Sequence, residues 1–308
     1  MAHIVVPLDG SPLAEAALEL ALPVATAMEA AVVLLRVTPV LEVPWPQAEQ
    51  ANAQKLEEAE QSEAHRYLAR IAGQLRERHV EVQAEVRSGD PAEQIVFASR
   101  GSELVTMATH GRAGLQRWLL GSVTDRVVRA AQAPVLLIHP REDQAPLPTV
   151  RRIAVALDGS PLAERSLPHA ARLARCLGAS LVLVRVVPWA AGLVTGDLPG
   201  PFLEEMDTAL VREAREYLER VTAAVEAPHV EIQIRRGVPA DELIHMAAHG
   251  GADLIAIATH GRGGIRRWAL GSVADRVLRI AGVPVLLVPA GVREAEPIPE
   301  TEGAPTTA

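Results

Sequence analysis

The chain has 308 residues, 49% of them apolar, and a formal net charge of −8 at pH 7. That length exceeds what one core usually fills, so two domains are expected, and the acidic balance excludes a nucleic-acid backbone as a partner. No run reaches the roughly 18 apolar residues of a membrane span, Cys176 as sole cysteine excludes an internal disulfide, and Asp9 arrives before a signal-peptide core can form, so a cytoplasmic protein is expected.

Short β-branched apolar runs alternate along the chain with longer segments of helical period, the pattern of a parallel sheet covered by helices on both faces. Strands are predicted at 3–8, 31–37, 80–87, 104–108 and 135–138, with helices at 12–28, 51–78, 91–100 and 122–131. Helix starts are marked by Ser11 before Pro12, by Asp90-Pro91 with Glu93 following, and by Ser122 with Asp125. The polar, proline-bearing stretch 141–150 reads as a linker, after which strands return at 152–157, 180–186, 230–236, 254–258 and 285–288. Residues 292–308 are rich in Glu, Pro, Thr and Ala and are predicted to be a disordered tail.

The second half repeats the first. VVPLDGSPLAE at 5–15 returns as AVALDGSPLAE at 154–164, and MATHGRAGLQRWLLGSVTDRVVR at 107–129 returns as IATHGRGGIRRWALGSVADRVLR at 257–279. A repeat of about 150 residues is too long for a solenoid unit, so 1–140 and 151–291 are each expected to be a complete domain.

In doubly wound sheets ligands bind beyond the carboxyl ends of strands, where the strand order reverses. A 3-2-1-4-5 order in each half brings two loops to that point: Asp9-Gly10-Ser11 with its copy Asp158-Gly159-Ser160, and 108–122 with its copy 258–272. The longer loop carries Gly111, Gly114 and Gly121, and in the copy Gly261, Gly263, Gly264 and Gly271. Gly121-Ser122 and Gly271-Ser272 open a helix, so amides and a hydroxyl face the crevice and an anion is the natural occupant; the alternative is a tight turn with Ser122 as a simple cap. Asp9 and Asp158 either accept from ribose hydroxyls or help hold a metal ion, or they cap a turn.

His110 and His260 order the loop rather than catalyse, because no partner stands at triad spacing. Arg112, Arg117, Arg262, Arg266 and Arg267 neutralise phosphate or are solvated, and Trp118 and Trp268 anchor the loop or stack on a base. Lys55 is the only lysine, which excludes a P-loop, and DGSPLAE after the first strand excludes the dinucleotide fingerprint.

The first-strand aspartate, the Gly-x-Pro-Ala turns Gly89-Asp90-Pro91-Ala92 and Gly237-Val238-Pro239-Ala240, and the loops ending in Gly-Ser resemble the universal stress protein family in its tandem form, over 2–140 and 151–290. In the nucleotide-binding branch of that family the pattern is Gly, two residues, Gly, nine residues, Gly, Ser or Thr. Here Gly111 is followed by nine residues, Gly121 and Ser122, and Gly261 by nine residues, Gly271 and Ser272. The first glycine is replaced by Ala108 and Ala258, which adds a methyl group where backbone should approach the ribose and phosphates.

The resemblance implies Rossmann-like, adenine nucleotide alpha hydrolase-like domains, each a five-stranded parallel sheet of order 3-2-1-4-5. It implies ATP and Mg²⁺ as ligands, one nucleotide per half. The first site would comprise Pro7, Asp9, Val37, Met107, Ala108, Gly111, Gly121, Ser122 and Val123; the second, Ala156, Asp158, Val186, Ile257, Ala258, Gly261, Gly271, Ser272 and Val273. Val37 and Val186 would meet adenine through their backbone, the aspartates would hold ribose, and the Gly, Ser and Val groups would cradle phosphates. The Pro7 to Ala156 difference implies sites of unequal affinity.

The halves are further expected to pair through their fifth strands, and two chains to form a homodimer. The implied role is a stress-response regulator or sensor that binds ATP and is not an enzyme. A slow ATP hydrolase using Asp9 or His110, and an interaction module without nucleotide, are the alternatives.

Overall fold

The structure is a computed structural model and describes residues 2–40, 47–109, 120–139, 147–192, 199–227, 229–259 and 270–292. The first half runs β1 (His3–Pro7), α1 (Pro12–Glu15), α2 (Ala17–Ala27), β2 (Ala31–Thr38), α3 (Gln47–Arg76), β3 (Val82–Ser88), α4 (Pro91–Ala98), β4 (Leu104–Ala108), α5 (Ser122–Ala130) and β5 (Val135–Ile138). The second runs β6 (Arg152–Ala156), α6 (Pro161–Glu164), α7 (Ser166–Leu177), β7 (Ser180–Val187), α8 (Gly200–Thr222), β8 (Val230–Arg236), α9 (Pro239–Ala248), β9 (Leu254–Ala258), α10 (Ser272–Ile280) and β10 (Val285–Val288).

Local chemistry accounts for the starts of α1, α4 and α6. Ser11 Oγ accepts from the Ala14 amide at 3.2 Å and Asp90 Oδ1 from the Glu93 amide at 2.9 Å, each ahead of a proline that needs no partner. The helix predicted at 12–28 is two helices broken at Ala16, and the same break returns at Arg165. The Ala14 amide donates to Ser11 O and the Glu19 amide to Ala16 O, three residues back in each case, so the chain tightens on either side of the break.

Among the described residues the strands form one ten-stranded sheet, ordered β3-β2-β1-β4-β5-β10-β9-β6-β7-β8. Within each half all pairs are parallel; across the middle β5 and β10 run antiparallel, pairing Leu137 with Val285, Leu136 with Leu286 and Val135 with Leu287.

Side-chain alternation along the strands sorts the apolar residues by sheet face. One buried layer joins Ile4, Leu34, Leu136, Ile153, Leu183 and Leu286; the other joins Val5, Leu35, Leu137, Ala154, Val184 and Leu287. Each layer therefore runs unbroken through both halves. Polar ties cross the same seam: Arg172 pairs with Glu103, and the ring nitrogens of His139 lie 2.7 Å from Leu278 O and 3.1 Å from Val283 O.

Candidate functional site

The crevice follows from strand register. β1 pairs with β4 only at Ile4 with Leu104 and Val5 with Val105. Yet β1 stays on β2 as far as the bond from the Leu8 amide to Leu35 O, 2.8 Å, and β4 stays on β5 as far as the Thr109 amide to Ile138 O, 2.9 Å. Beyond Val5 the two central strands have thus parted, each held by its outer neighbour. The second half repeats this: β6 and β9 pair last at Val155 with Ala256, while the Leu157 amide reaches Val184 O at 2.9 Å and the Thr259 amide reaches Val288 O at 3.0 Å. The strand-order reversal thus opens at the carboxyl edge in both halves.

One rim is the aspartate turn. Asp9 Oδ1 accepts from the Ser11 amide at 2.9 Å and from Ser11 Oγ at 2.5 Å; Asp158 Oδ1 accepts from the Ser160 amide at 2.9 Å and from Ser160 Oγ at 2.6 Å. The turn use of these aspartates is therefore present, and it fixes the carboxylates at the strand ends.

The other rim is the start of α5 and α10. The Gly121 amide donates to Thr109 O at 3.2 Å and the Gly271 amide to Thr259 O at 2.7 Å, so each long loop leaves and returns through one backbone clasp. Gly121 has φ −57°, a value open to any residue, but a Cβ there would stand 3.1 Å from Thr109 O. Close backbone approach favours glycine here, since a side chain would require the Thr109 carbonyl to give way. Thr124 Oγ1 donates to the same carbonyl at 3.3 Å.

The helix cap is Gly121, with Ser122 the first helical residue, so the expectation of Ser122 as a cap is corrected; glycine and serine occupy the same places in α10. No side chain caps either helix, and among the described residues nothing accepts from the amides of Ser122, Val123 and Thr124 or of Ser272, Val273 and Ala274. Among the described residues these first amides of both helices have no acceptor, at the positive end of the helix dipole.

Of the other expected site residues, Pro7 and Ala156 end β1 and β6 on the crevice. Met107, Ala108, Ile257 and Ala258 end β4 and β9 and are buried. Val37 and Val186 pair with Arg87 and Arg235 one residue before β2 and β7 end, on strands flanking the crevice. Gly111 and Gly261 lie outside the described residues, as do His110, His260, Gly114, Gly263, Gly264, Arg112, Arg117, Arg262, Arg266, Arg267, Trp118, Trp268, the 141–146 part of the linker and the tail from 293 on.

A polar layer packs against the first strand's end and was not anticipated. Arg36 Nη1 donates to Leu8 O at 3.4 Å and its guanidinium lies 5.7 Å from the Tyr67 ring centroid, while Tyr67 OH donates to Glu15 at 3.0 Å. In the second half Arg185 is buried, 4.7 Å from the Tyr217 ring centroid and 3.3 Å from Glu213. Burial first, and then the neighbouring Glu15 or Glu164, hold both phenols well above the usual tyrosine range. The readable signal was an arginine within the apolar runs AVVLLRVT and SLVLVRVV at matching places.

Residues 1–139 and 149–289 each match the universal stress protein family. A universal stress protein of Mycolicibacterium smegmatis is 31% identical over 295 residues, covering 92% of this chain and 96% of the relative. One from Mycobacterium tuberculosis strain H37Rv is 33% identical over 216 residues, 68% of this chain and 70% of the relative. The crystal structure of a universal stress protein from Archaeoglobus fulgidus superposes with a TM-score of 0.68 at 22% identity, covering 94% of this chain and 98% of that one, and shows the same fold. With both halves matched and full-length relatives of the same kind, the chain belongs to the universal stress protein family, in its tandem two-domain form.

Proposed function

We propose that the protein is an ATP-binding stress-response regulator of the cytoplasm, holding one adenine nucleotide with Mg²⁺ in each half and acting by binding rather than by turnover. One observation carries the reading: uncapped amides at the starts of α5 and α10 face a gap that strand register opens. A triphosphate supplies the acceptors those amides lack. Ser122, Val123, Ser272 and Val273 fit the phosphates, Asp9 and Asp158 the ribose, and the backbone of Val37 and Val186 the base.

Among the described residues no three His, Cys, Asp or Glu side chains gather at a metal site. The Mg²⁺ would therefore ride on phosphate oxygens and water, as this ion commonly does. Fast phosphoryl transfer needs a cation and a base at the transferred group, and the only lysine, Lys55, lies on α3. A sensor needs only an affinity that differs between two states.

The test is Ser122→Asp with Ser272→Asp. A carboxylate in a helix's first turn favours the helix by about 0.3–1 kcal/mol while repelling a phosphate from the same amides. Titration calorimetry with MgATP is expected to show binding to the native chain and at least a tenfold loss in the double variant, with an unchanged or raised melting temperature. Each single variant should lose one site. Equal heats from native and double variant would overturn the cradle, and sustained release of labelled phosphate by the native chain would overturn binding without turnover.

A further inference from the structure

The strands β2 and β7, which flank the two crevices, run on into different residues. β2 ends Val37-Thr38 and continues to Pro39 and Val40; β7 ends Val186-Val187 and continues to Pro188 and Trp189. Both Val40 and Trp189 are exposed, the indole to 53%. An exposed indole is unremarkable alone, but this one is held in place. The guanidinium of Arg236, the last residue of β8, lies 5.2 Å from the Trp189 ring centroid. Arg236 is steadied in turn by Asp207 of α8 at 3.5 Å, and Asp207 also accepts from the amide of Ala190, the fully buried residue after Trp189, at 2.8 Å.

An aspartate therefore ties together the arginine and the backbone that carries the indole, and about half of Trp189 remains open to solvent. That is the construction of a stacking platform: a ring fixed in orientation, a cation on the ring, and area left for a planar group. Among the described residues the first half has no equivalent; Trp45 lies outside them. The place of Arg236 is taken by Ser88, whose hydroxyl lies 3.3 Å from Thr38 Oγ1 and accepts from Gln61 at 3.2 Å.

We propose that Trp189, backed by Arg236, is a base-stacking shelf for the nucleotide of the second half, and that the second site therefore binds a purine nucleotide more tightly than the first. This rests on the nucleotide reading above, because Trp189 stands three residues beyond Val186, where that reading puts the base. Stacking on an aromatic side chain is tolerant of base identity, so the shelf raises affinity for purines in general and does not select adenine.

The experiment titrates MgATP and, separately, magnesium tripolyphosphate into the full chain and three variants: Trp189→Ala, Trp189→Phe, and the transplant Val40→Trp with Ser88→Arg. The native chain should show two unequal ATP sites. Trp189→Ala should weaken the tighter one roughly tenfold or more and leave the other unchanged, while Trp189→Phe keeps most of the affinity. Tripolyphosphate, which offers phosphates and no base, should bind native and Trp189→Ala chains alike. The transplant should tighten the weaker site.

If the native chain takes up neither ligand, the nucleotide reading itself fails. If it takes up ATP and Trp189→Ala leaves both affinities as they were, the shelf alone is overturned. An equal loss of ATP and tripolyphosphate in Trp189→Ala would also overturn it, since the side chain would then be shaping the phosphate site.

Discussion

Asp9 and Asp158 each hold the amide two residues on at 2.9 Å, yet beyond the neighbouring strands β2 and β7 Val40 in one half stands where Trp189 stands in the other. The contrast is general. Features that shape backbone are common to both halves: the aspartate turn, the clasp from Gly121 or Gly271 to a threonine carbonyl, the uncapped helix start, and the positive φ of Gly89 (128°) and Gly237 (142°) ahead of α4 and α9. Side chains around that frame have diverged, as Pro7 against Ala156, Thr124 against Ala274 and His139 against Pro289 show. A Cβ at Gly121 would stand close against a carbonyl oxygen, whereas Val40 and Trp189 are exposed and have space in which to vary. The frame is common to both halves, and the residues that follow β2 and β7 differ.

The largest effects should come from the seam, where the halves are not independent. Leu136 and Leu286 face each other across β5 and β10, both essentially inaccessible to solvent. Leu136→Ala and Leu286→Ala are each expected to cost about 2–5 kcal/mol, through lost burial and the cavity left behind. Because both apolar layers pass through the seam, calorimetry should show a single unfolding transition at a lower temperature for either variant. Two separated transitions, with only the mutated half shifted, would break the picture of one continuous core.

That continuity was expected only from the family resemblance, which pairs the fifth strands, and not from the residues themselves. Strands 104–108, 135–138, 254–258 and 285–288 appear where the apolar runs put them, since fully buried parallel strands read as near-continuous apolar stretches. Periodicity says which face a side chain takes but not which distant strand lies beside it, so Leu136 does not announce Leu286. The crevice was legible through its turn residues, while the reason for Gly121 was not. A glycine before a helix fits a left-handed turn, a ligand contact or a close backbone approach, and the structure adds a φ of −57°, which removes the first, and 3.1 Å to Thr109 O, which supplies the last. The layer of Arg36, Tyr67, Arg185 and Tyr217 escaped notice because each residue taken singly reads as a solvated amphipathic side chain.

The tyrosines allow a sharper comparison, for the chain has two, one in each half. Both phenols have folded-state pKa values raised above the ordinary 10.0, so their contribution to stability is complete below that pH and is lost as pH rises further. The slope is at most about 1.4 kcal/mol per pH unit for each tyrosine, and shallower for Tyr67, which is the more exposed ring. Tyrosinate absorbance should lag a free-tyrosine titration and appear together with alkaline unfolding. In Tyr67→Phe the remaining signal belongs to Tyr217 and should keep that coupling; a tyrosinate band near pH 10 in the folded variant would show that the layer is open to water.

The smallest effect, about 1 kcal/mol, concerns the caps of α4 and α9, where the halves can be exchanged. Asp90 caps α4 at φ −75° and ψ 123°; Val238 holds almost the same backbone ahead of α9, φ −86° and ψ 124°, and caps nothing. The α9 helix forms regardless because Ala240, Leu243 and Met246 are buried beneath it, tertiary packing doing what the cap does elsewhere. Asp90→Ala should therefore lower stability by about 1 kcal/mol, and Val238→Asp should raise it by up to the same amount, the exposed valine being lost without a cavity. Arg126 first, and then the Glu93 amide, hold the Asp90 carboxyl below its usual 3.8, so its benefit is complete above that pH and fades as acid protonates it. The gain from Val238→Asp should disappear on acidification in the same way. If it persists at low pH, the added stability comes from removing an exposed apolar side chain and not from a cap, and the two helix starts differ in more than one residue.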